Sequence, residues 1–325
     1  MNAWTGEGHG IRALSGAALP ALSFGSWQIF SRMHFDDLVD QLRRTVAAGQ
    51  GAFDIANYDG ATPRGDTIAF TDILFGRALQ VAGIAREDVF VQAKVWLIRF
   101  PELSLRAQLD VLEQRTQIER FDMINVGMFQ MAQGLDLDEL LGQIDGLHRE
   151  GRIGGWSVTG WAPDVFEDAW RRCRANGWVE PRLVQLKYGP ARRAVAEGDP
   201  WAGVFDRTGA LLQTSDTLEG GVLLGKVPER RIGTDMGGVR GRIEQDVPRF
   251  AAVAADFGVH PATLGYAFAL THPRTANALT GVRGVAQLEA ALAAVELART
   301  RSAELRSAVD FMWADRDAVD VAAWS

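Results

Sequence analysis

An acid, a phenol and an ammonium group in the first third of the sequence have the chemistry of a proton-donor site. Asp54 lies in a short apolar run, and Tyr58 follows it where Asp59-Gly60 predicts a turn. Lys94 lies near the end of a second apolar run. An ammonium close to a phenol favours the phenolate, and a carboxylate can hold that ammonium in place. Together the three side chains could protonate a substrate.

Each of these residues also has a plain structural explanation. Asp54 could accept backbone hydrogen bonds at a strand end, Tyr58 could be a half-buried aromatic, and Lys94 could form an ordinary salt bridge. The use of lysine rather than arginine at position 94 favours a functional role for this residue. The chain has 34 Lys plus Arg, and the lysines among them are only Lys94, Lys187 and Lys226. Because an unpaired ammonium in an apolar strand is costly, we expect Lys94 to have a specific partner.

Eight apolar runs of strand length alternate with amphipathic helical patterns along the chain. The predicted strands are 18–29, 52–56, 88–95, 121–128, 153–158, 182–187, 210–215 and 275–281. The predicted helices are 36–48, 71–83, 103–117, 136–149, 163–175, 243–257, 261–271 and 284–297, with a further helix and tail in 301–325.

This alternation is typical of a parallel sheet with helical crossovers. A length of 325 residues without a dominant Gly/Pro linker favours an α/β fold with one domain, a (β/α)8 TIM barrel. A doubly wound sheet is the structural alternative, but no Gly-x-Gly-x-x-Gly turn opens the first helix. We predict a loose N-terminal arm at 1–17, and a barrel with a C-terminal helix and tail at 18–325.

A barrel of this kind carries its catalytic groups at the carboxyl ends of the strands and in the loops that follow. Polar residues stand at or just after the predicted strand ends throughout the chain. They are Asp54, Tyr58, Lys94, Gln130, Thr159, Gln185 and Ser215. We therefore expect these side chains to face one pocket.

Charge and composition argue against several other functions. The formal net charge of −7 disfavours a nucleic-acid partner. Cys173 is the single cysteine, which excludes an internal disulfide and indicates a reducing compartment. We expect no signal peptide, no membrane span of roughly 20 apolar residues and no metal site, because one Cys and five scattered His make no ligand cluster. The predicted partner is a small-molecule substrate of a cytoplasmic protein, and the oligomeric state is left open.

Short motifs from about residue 18 to about residue 297 resemble the aldo-keto reductase superfamily in their order and spacing. The matching pieces are 24–27, 53–54 with Tyr58, 93–94, 151–153 with 157–159, Gln185 with Tyr188, 218–226, and 281–283 with 287–288. The resemblance implies a (β/α)8 barrel and an NADP(H) cofactor.

The resemblance also implies which residues hold that cofactor. Thr159 and Gln185 would bind the nicotinamide carboxamide, and Tyr188 would stack on the nicotinamide ring. The glycines of 215–226 would let backbone amides approach the pyrophosphate, and Arg283 would grip a 2′-phosphate. Strand-end capping and a flexible surface loop are the alternatives. The full predicted set is Ser26, Trp27, Asp54, Thr159, Gln185, Tyr188, Ser215, Leu218, Gly220, Lys226, Gly281, Arg283 and Gln287.

Two positions depart from the family pattern. Ala291 stands where an asparagine commonly contacts the adenine. At the fourth strand, Gln130 stands in the position given to the catalytic histidine. A glutamine amide can donate a hydrogen bond to a substrate oxygen, but it cannot exchange protons as an imidazole can. Alternatively, Gln130 is a polar pocket wall with no catalytic role.

The expected activity is hydride transfer from NADP(H) to a carbonyl, imine or conjugated alkene of a small organic substrate. Tyr58 would donate the proton, and Gln130 would orient the oxygen. Lys94 would lower the pKa of the Tyr58 phenol, and Asp54 would hold the Lys94 ammonium in place. Aromatic residues near the strand ends predict a flat apolar wall for the substrate, formed by Trp27, Trp96, Phe129 and Trp161. Two alternatives are a nucleotide-binding sensor or regulatory subunit, and a biosynthetic enzyme that uses the barrel without net reduction.

Overall fold

Eight parallel strands close into a barrel in the computed structural model, which describes residues 10–59, 68–127, 134–228 and 235–319. Each strand pairs with the next along the chain, and the last pairs back with the first. The strands are β1 Leu22–Gly25, β2 Ala52–Ala56, β3 Phe90–Trp96, β4 Met123–Gly127, β5 Trp156–Thr159, β6 Pro181–Lys187, β7 Leu211–Ser215 and β8 Thr275–Thr280. This confirms the predicted (β/α)8 barrel.

Helices surround the barrel and cover its outer face. They are α1 Phe35–Ala47, α2 Thr71–Ala82, α3 Leu105–Thr116, α4 Leu137–Arg149, α5 Pro163–Asn176, α6 Ala194–Glu197, α7 Trp201–Thr208, α8 Arg240–Asp256, α9 Pro261–Leu270 and α10 Val285–Ala308. None of these helices is long and apolar enough to cross a membrane. The short helices α6 and α7 were not predicted. The segments predicted as separate helices, 284–297 and one after 301, form one helix whose geometry breaks at Arg301.

The ends of several helices follow from single side chains. The Ser104 hydroxyl accepts a hydrogen bond from the Ala107 N–H at 3.1 Å and caps the start of α3. The Asp136 carboxylate caps α4 in the same way. Gly177 ends α5 with a φ of 65°, a left-handed conformation that costs glycine little.

A short hairpin closes the amino-terminal end of the barrel. Arg12 pairs with Ala18 in antiparallel fashion, and the Leu14 N–H donates to the Asp122 carboxylate at 2.7 Å. Apolar residues of the hairpin form one cluster with the lowest layer of the barrel interior: Ile11, Ala13 and Leu19 with Ala52, Phe90, Met123, Leu183, Leu211 and Ala276. The described part of the segment predicted as a loose arm is therefore packed as a plug, because it covers apolar side chains that would otherwise meet water.

A polar layer lies in the barrel interior above this apolar floor. Gln92 and Gln213 exchange side-chain hydrogen bonds of 3.2 and 2.9 Å. Gln92 also donates to the Ser157 hydroxyl at 3.1 Å, and Gln213 donates to Asn277 at 3.1 Å. Asn277 in turn donates to the Ser23 hydroxyl. These bonds satisfy amide groups that would be costly to bury unpaired.

Candidate active site

A cavity of about 900 Å³ opens at the carboxyl ends of the barrel strands. It has the size and position expected of a ligand site in a barrel of this kind. Most of the predicted site residues line it together: Ser26, Trp27, Asp54, Tyr58, Lys94, Thr159, Gln185, Ser215, Leu218, Gly220, Lys226, Gly281, Arg283 and Gln287.

Asp54 and Lys94 form a buried ion pair at the floor of the cavity. Asp54 lies within β2 and Lys94 near the end of β3, and the Lys94 Nζ donates to Asp54 Oδ2. The Asp54 side chain is 2% exposed and the Lys94 side chain 11%. Lys94 therefore has the specific partner that its apolar strand requires. Because little water screens the pair, its charges act strongly on neighbouring groups.

Tyr58 lies beside this pair on a separate two-residue strand. The strand Tyr58–Asp59 pairs antiparallel with Ile68–Ala69. The phenol ring is buried and packs against the Trp96 ring, with centroids 6.1 Å apart. Trp27 packs against the same small apolar cluster. The hydroxyl of Tyr58 is thus presented to the cavity from an aromatic setting.

The end of the fourth strand is occupied by a glycine. Gly127 pairs with Trp96 of β3 and with Thr159 of β5. The Trp96 ring lies against it so closely that a Cβ at position 127 would be 3.0 Å from two ring carbons. Gln130 stands three positions beyond this strand end and, like Phe129, lies outside the described residues. Sequence reasoning missed the packing of Gly127 under Trp96.

The loop after β7 has an unusual backbone. Asp216, Glu219, Gly220 and Gly221 have φ values of 50°, 52°, 66° and 106°. The value at Gly221 is accessible only to glycine at low cost. Turning in this way, the loop brings its backbone to the cavity wall, where Gly220 and Gly221 are exposed to a ligand.

Buried ion pairs fix this loop to the barrel. The Glu219 carboxylate accepts hydrogen bonds of 2.9 Å from the Lys187 ammonium and 2.8 Å from Arg192 Nε. Arg192 also pairs with Asp235 at 2.5 Å. Burial alone would lower the pKa of Arg192, but the neighbouring Glu219 and Asp235 carboxylates raise it. The rarity of lysine in this chain was the one sequence signal that could have pointed to Lys187.

Another part of the cavity wall carries cations, one in the loop after β7 and one just before α10. Arg283 and Lys226 both line it and are exposed. The Arg283 N–H donates to Gln287 Oε1 at 2.8 Å, which holds the turn that precedes the helix. Arg32 and His260 also line the cavity and were not predicted.

Tyr188, predicted to stack on the nicotinamide, and Trp161, predicted as a wall residue, do not line the cavity. Tyr188 is fully buried outside the cavity lining, where its hydroxyl donates to Glu197 at 2.6 Å and accepts from Arg306 at 3.0 Å. Burial raises the pKa of Tyr188 well above its usual range, and the Glu197 carboxylate adds to the effect. The predicted stacking of Tyr188 on a nicotinamide has no support from this position. Trp161 is also buried, and its indole N–H donates to the Val126 carbonyl at 2.9 Å.

The lining fits an anionic dinucleotide. The buried Ser26 hydroxyl, at the cavity wall, has no hydrogen-bond partner within the described ranges and can serve a ligand. Glycines of the β7 loop allow close backbone approach, and Lys226 and Arg283 supply positive charge for phosphates. Across the residues the structure describes, no group of three or more His, Cys, Asp or Glu side chains could hold a metal ion.

Comparisons with known proteins agree with this geometry. The model of the aldo/keto reductase family matches residues 21–310. Aflatoxin B1 aldehyde reductase member 2 of Mus musculus is 27% identical over 222 residues, which cover 66% of this chain and 57% of the mouse protein. A probable voltage-gated potassium channel subunit beta of Arabidopsis thaliana is 23% identical over 304 residues, covering 87% and 89%.

Solved structures resemble the whole barrel. An aldo/keto reductase from Klebsiella pneumoniae in complex with NADP and acetate gives a TM-score of 0.71 at 18% identity, covering 95% of this chain and 98% of that chain. An aldo-keto reductase from the same organism in complex with NADPH gives 0.69 at 18% identity, covering 95% and 96%. At this identity the likeness establishes the fold.

Proposed function

Because this chain belongs to the aldo/keto reductase family, we propose that it is an NADP(H)-dependent oxidoreductase acting on a carbonyl, imine or conjugated alkene of a small organic substrate. One observation carries the proposal. Tyr58, Lys94 and Asp54 face the same cavity as Lys226 and Arg283, so a proton donor and a phosphate-binding end share one site. The bound Klebsiella structures, named above, add support for the cofactor.

The chain's own residues position the reactants and move one proton. The cofactor, when bound, supplies the hydride. Tyr58 donates its hydroxyl proton to the substrate oxygen as negative charge develops there. Lys94 stabilises the phenolate that remains, and Asp54 holds the ammonium in place through their ion pair. The aromatic surroundings of Tyr58 exclude water, which strengthens these electrostatic effects.

The proposed cofactor contacts follow the length of the cavity. Thr159 and Gln185 would bind the carboxamide at the nicotinamide end, where Gln185 is already oriented by a 2.6 Å hydrogen bond from its Nε2 to Gln213. The β7 loop and Lys226 would hold the pyrophosphate. Arg283 would grip the 2′-phosphate, which favours NADP(H) over NAD(H).

The substrate end favours a flat and apolar molecule. Trp27, Tyr58 and Trp96 surround it, and β4 contributes Gly127 without a side chain. The name of the mouse relative, an aldehyde reductase, supports a carbonyl substrate. We expect weak turnover of simple aldehydes and better turnover of a larger conjugated or cyclic substrate. Gln130 remains the proposed group that orients the oxygen, and Gln130→His should shift the ratio of kcat/KM values toward simple aldehydes.

Binding and turnover can be measured separately. NADPH fluorescence on titration gives the affinity, and loss of NADPH absorbance follows turnover over a panel of carbonyls, imines and enones. Tight NADPH binding with turnover of at least one member supports the proposal. No saturable NADPH binding would refute it.

The second candidate function is a nucleotide-binding regulatory subunit with little turnover. Two observations favour it: the Arabidopsis relative is named a channel subunit and matches 87% of this chain, and β4 ends in Gly127 rather than a polar residue. In that case the chain would bind NADPH tightly, and neither it nor Gln130→His would oxidise NADPH with any substrate of the panel.

A further inference from the structure

Asn125 stands out within the polar layer of the barrel interior. Its side chain is fully buried, and neither Oδ1 nor Nδ2 has a hydrogen-bond partner in the part of the chain that the structure describes. The corresponding Asn277 of β8 bonds to both Gln213 and Ser23. These two interior carboxamides thus differ completely in their hydrogen bonding.

The direction of the Asn125 side chain follows from strand alternation. Along β4, Ile124 and Val126 belong to the large apolar cluster shared with the helices, and Met123 belongs to the interior cluster. Residues two apart on a strand share a face, so Asn125 points into the barrel with Met123 and Gly127. Its partner in register on β3 is Lys94.

The Lys94–Asp54 pair, at the floor of the cavity, offers matching groups beside Asn125. Asp54 Oδ1 is buried and without a partner among the described residues, while Oδ2 is bound to the Lys94 ammonium. The Trp96 ring packs on Gly127, two residues beyond Asn125 on the same face of β4. A buried carboxamide left wholly unpaired is a large cost, and a buried water commonly satisfies such groups when two to four polar partners surround it.

We propose that the Asn125 carboxamide holds an internal water beside the Lys94–Asp54 pair and that Asn125 is a positioning residue for the Lys94 ammonium. The ammonium has three donors, of which Asp54 takes one, and the water accepts another while it donates to Asn125 Oδ1 or Asp54 Oδ1. When a substrate covers the mouth of the barrel, Lys94 loses contact with bulk water. The internal water then keeps the ammonium solvated and aimed toward Tyr58. This catalytic consequence rests on the proposed function, whereas the water site does not.

The small number of lysines makes the site directly observable. Labelling the full chain with 15N-lysine gives at most three Nζ signals, from Lys94, Lys187 and Lys226, and Lys94→Arg identifies the first. We expect slowly exchanging Lys94 Nζ protons with a dipolar cross-peak to a long-lived water. Asn125→Leu, which has a similar volume and no polar atoms, should abolish that cross-peak.

A matched control separates this effect from damage to the barrel. Asn277→Leu disrupts the same polar layer on another strand and should keep the cross-peak. Asn125→Ser retains a hydroxyl for the water, and it serves as the second variant if Asn125→Leu does not fold. A cross-peak that persists in folded Asn125→Leu overturns the proposal. So does a high-resolution crystal structure in which the carboxamide bonds directly to protein atoms.

Kinetics add a second readout where turnover is found. Asn125→Leu should lower kcat roughly tenfold, about the effect of one hydrogen bond, without changing NADPH affinity. Asn125→Ser should recover most of that loss. An unchanged kcat in Asn125→Leu would overturn the positioning role. If the wild-type protein has no turnover at all, the proposed function fails, and the lysine spectra still decide whether the water site exists.

Discussion

The Trp96 ring packs directly onto the backbone of Gly127, where an added Cβ would stand 3.0 Å from ring carbons Cε3 and Cζ3. A Cβ that close obliges its neighbour to move by a few tenths of an ångström, so a side chain at position 127 would push the indole from its present position. This pair therefore shapes the cavity wall beside Tyr58. At this point the wall is the Trp96 ring of β3, because β4 ends in a glycine.

The first prediction tests this exclusion by stability. Gly127→Ala should lower the free energy of unfolding by about 1–2 kcal/mol, because it overpacks the indole. In a Trp96→Ala background the same change should cost almost nothing, since residues in contact couple strongly. Denaturant unfolding of the four proteins measures the coupling. Gly142→Ala, where nothing lies within 4 Å of the new methyl group, is the control. Equal costs in both backgrounds would mean that the ring does not depend on Gly127.

The second prediction concerns the proton donor. Tyr58→Phe should reduce turnover of a carbonyl substrate by on the order of 10² to 10⁴, because the donated proton is lost. The ring and its contact with Trp96 remain, so NADPH affinity should stay nearly the same. Steady-state rates and a binding titration make the comparison. Full activity in Tyr58→Phe would show that the acid lies elsewhere.

Much of the fold could be read from the sequence because burial imposes a period on each element. The apolar runs predicted β2 at 52–56 with the bounds the structure has, and the polar residues predicted at strand ends line one cavity, apart from Gln130, which lies outside the described residues. Strand alternation alone could have placed Tyr188 away from the cavity, because successive side chains point to opposite faces of a strand. Gln185 and Lys187 share the inward face of β6, so a residue one position beyond Lys187 turns to the other face. Tyr188 lies against Phe268, and their ring centroids are 5.8 Å apart.

Other features depend on contacts between distant parts of the chain. Nothing near Glu219 in the sequence indicates that Lys187 and Arg192 bury its carboxylate, and these pairs hold the loop in its left-handed backbone. The N-terminal segment reads as a loose arm because glycine and polar residues are frequent in 1–17. The N-terminal hairpin becomes ordered only by covering the floor of the barrel.

The third prediction concerns the loop after β7, which carries Glu219. Glu219→Gln removes a charge that is 2% exposed and faces three cations, Lys187, Arg192 and Arg240, so it should destabilise the protein by about 3–5 kcal/mol. A loosened loop should also weaken NADPH binding. Thermal unfolding and fluorescence titration report the two effects. Glu296→Gln, which breaks an exposed pair with Arg299, should change neither. Wild-type NADPH affinity in folded Glu219→Gln would show that the ion pairs do not shape the cofactor site.

The fourth prediction tests the cofactor preference. Arg283→Ala should weaken NADPH binding by about tenfold or more and leave NADH binding almost unchanged, because a charge-assisted bond to the 2′-phosphate is lost. Arg299→Ala removes an arginine farther along α10 and outside the cavity lining, and it should alter neither affinity. Equal affinities of the unaltered protein for both nucleotides would contradict the assignment of Arg283.

The last prediction concerns stability in acid. Burial lowers the pKa of His272 to about 4 from its ordinary 6.5, and Arg306 and Arg274 oppose its protonation while Glu197 and the Ala196 backbone favour it. The unfolded chain takes up this proton below about pH 6.5, and the folded chain does so only below about pH 4. Stability should therefore fall by about 3 kcal/mol as the pH drops from 6.5 to 4, and this contribution should level off below that range.

His272→Gln should flatten the decline between pH 6.5 and 4, even if the variant is less stable at neutral pH. Exposed His34→Gln should leave the slope as it is in the unaltered protein. Denaturant unfolding at a series of pH values gives the three slopes. Carboxylates elsewhere add their own acid dependence below about pH 4.5, and comparison of variants cancels it because those groups are common to all three proteins. An identical slope in His272→Gln would mean that the buried imidazole is not the group that unfolding exposes to protonation.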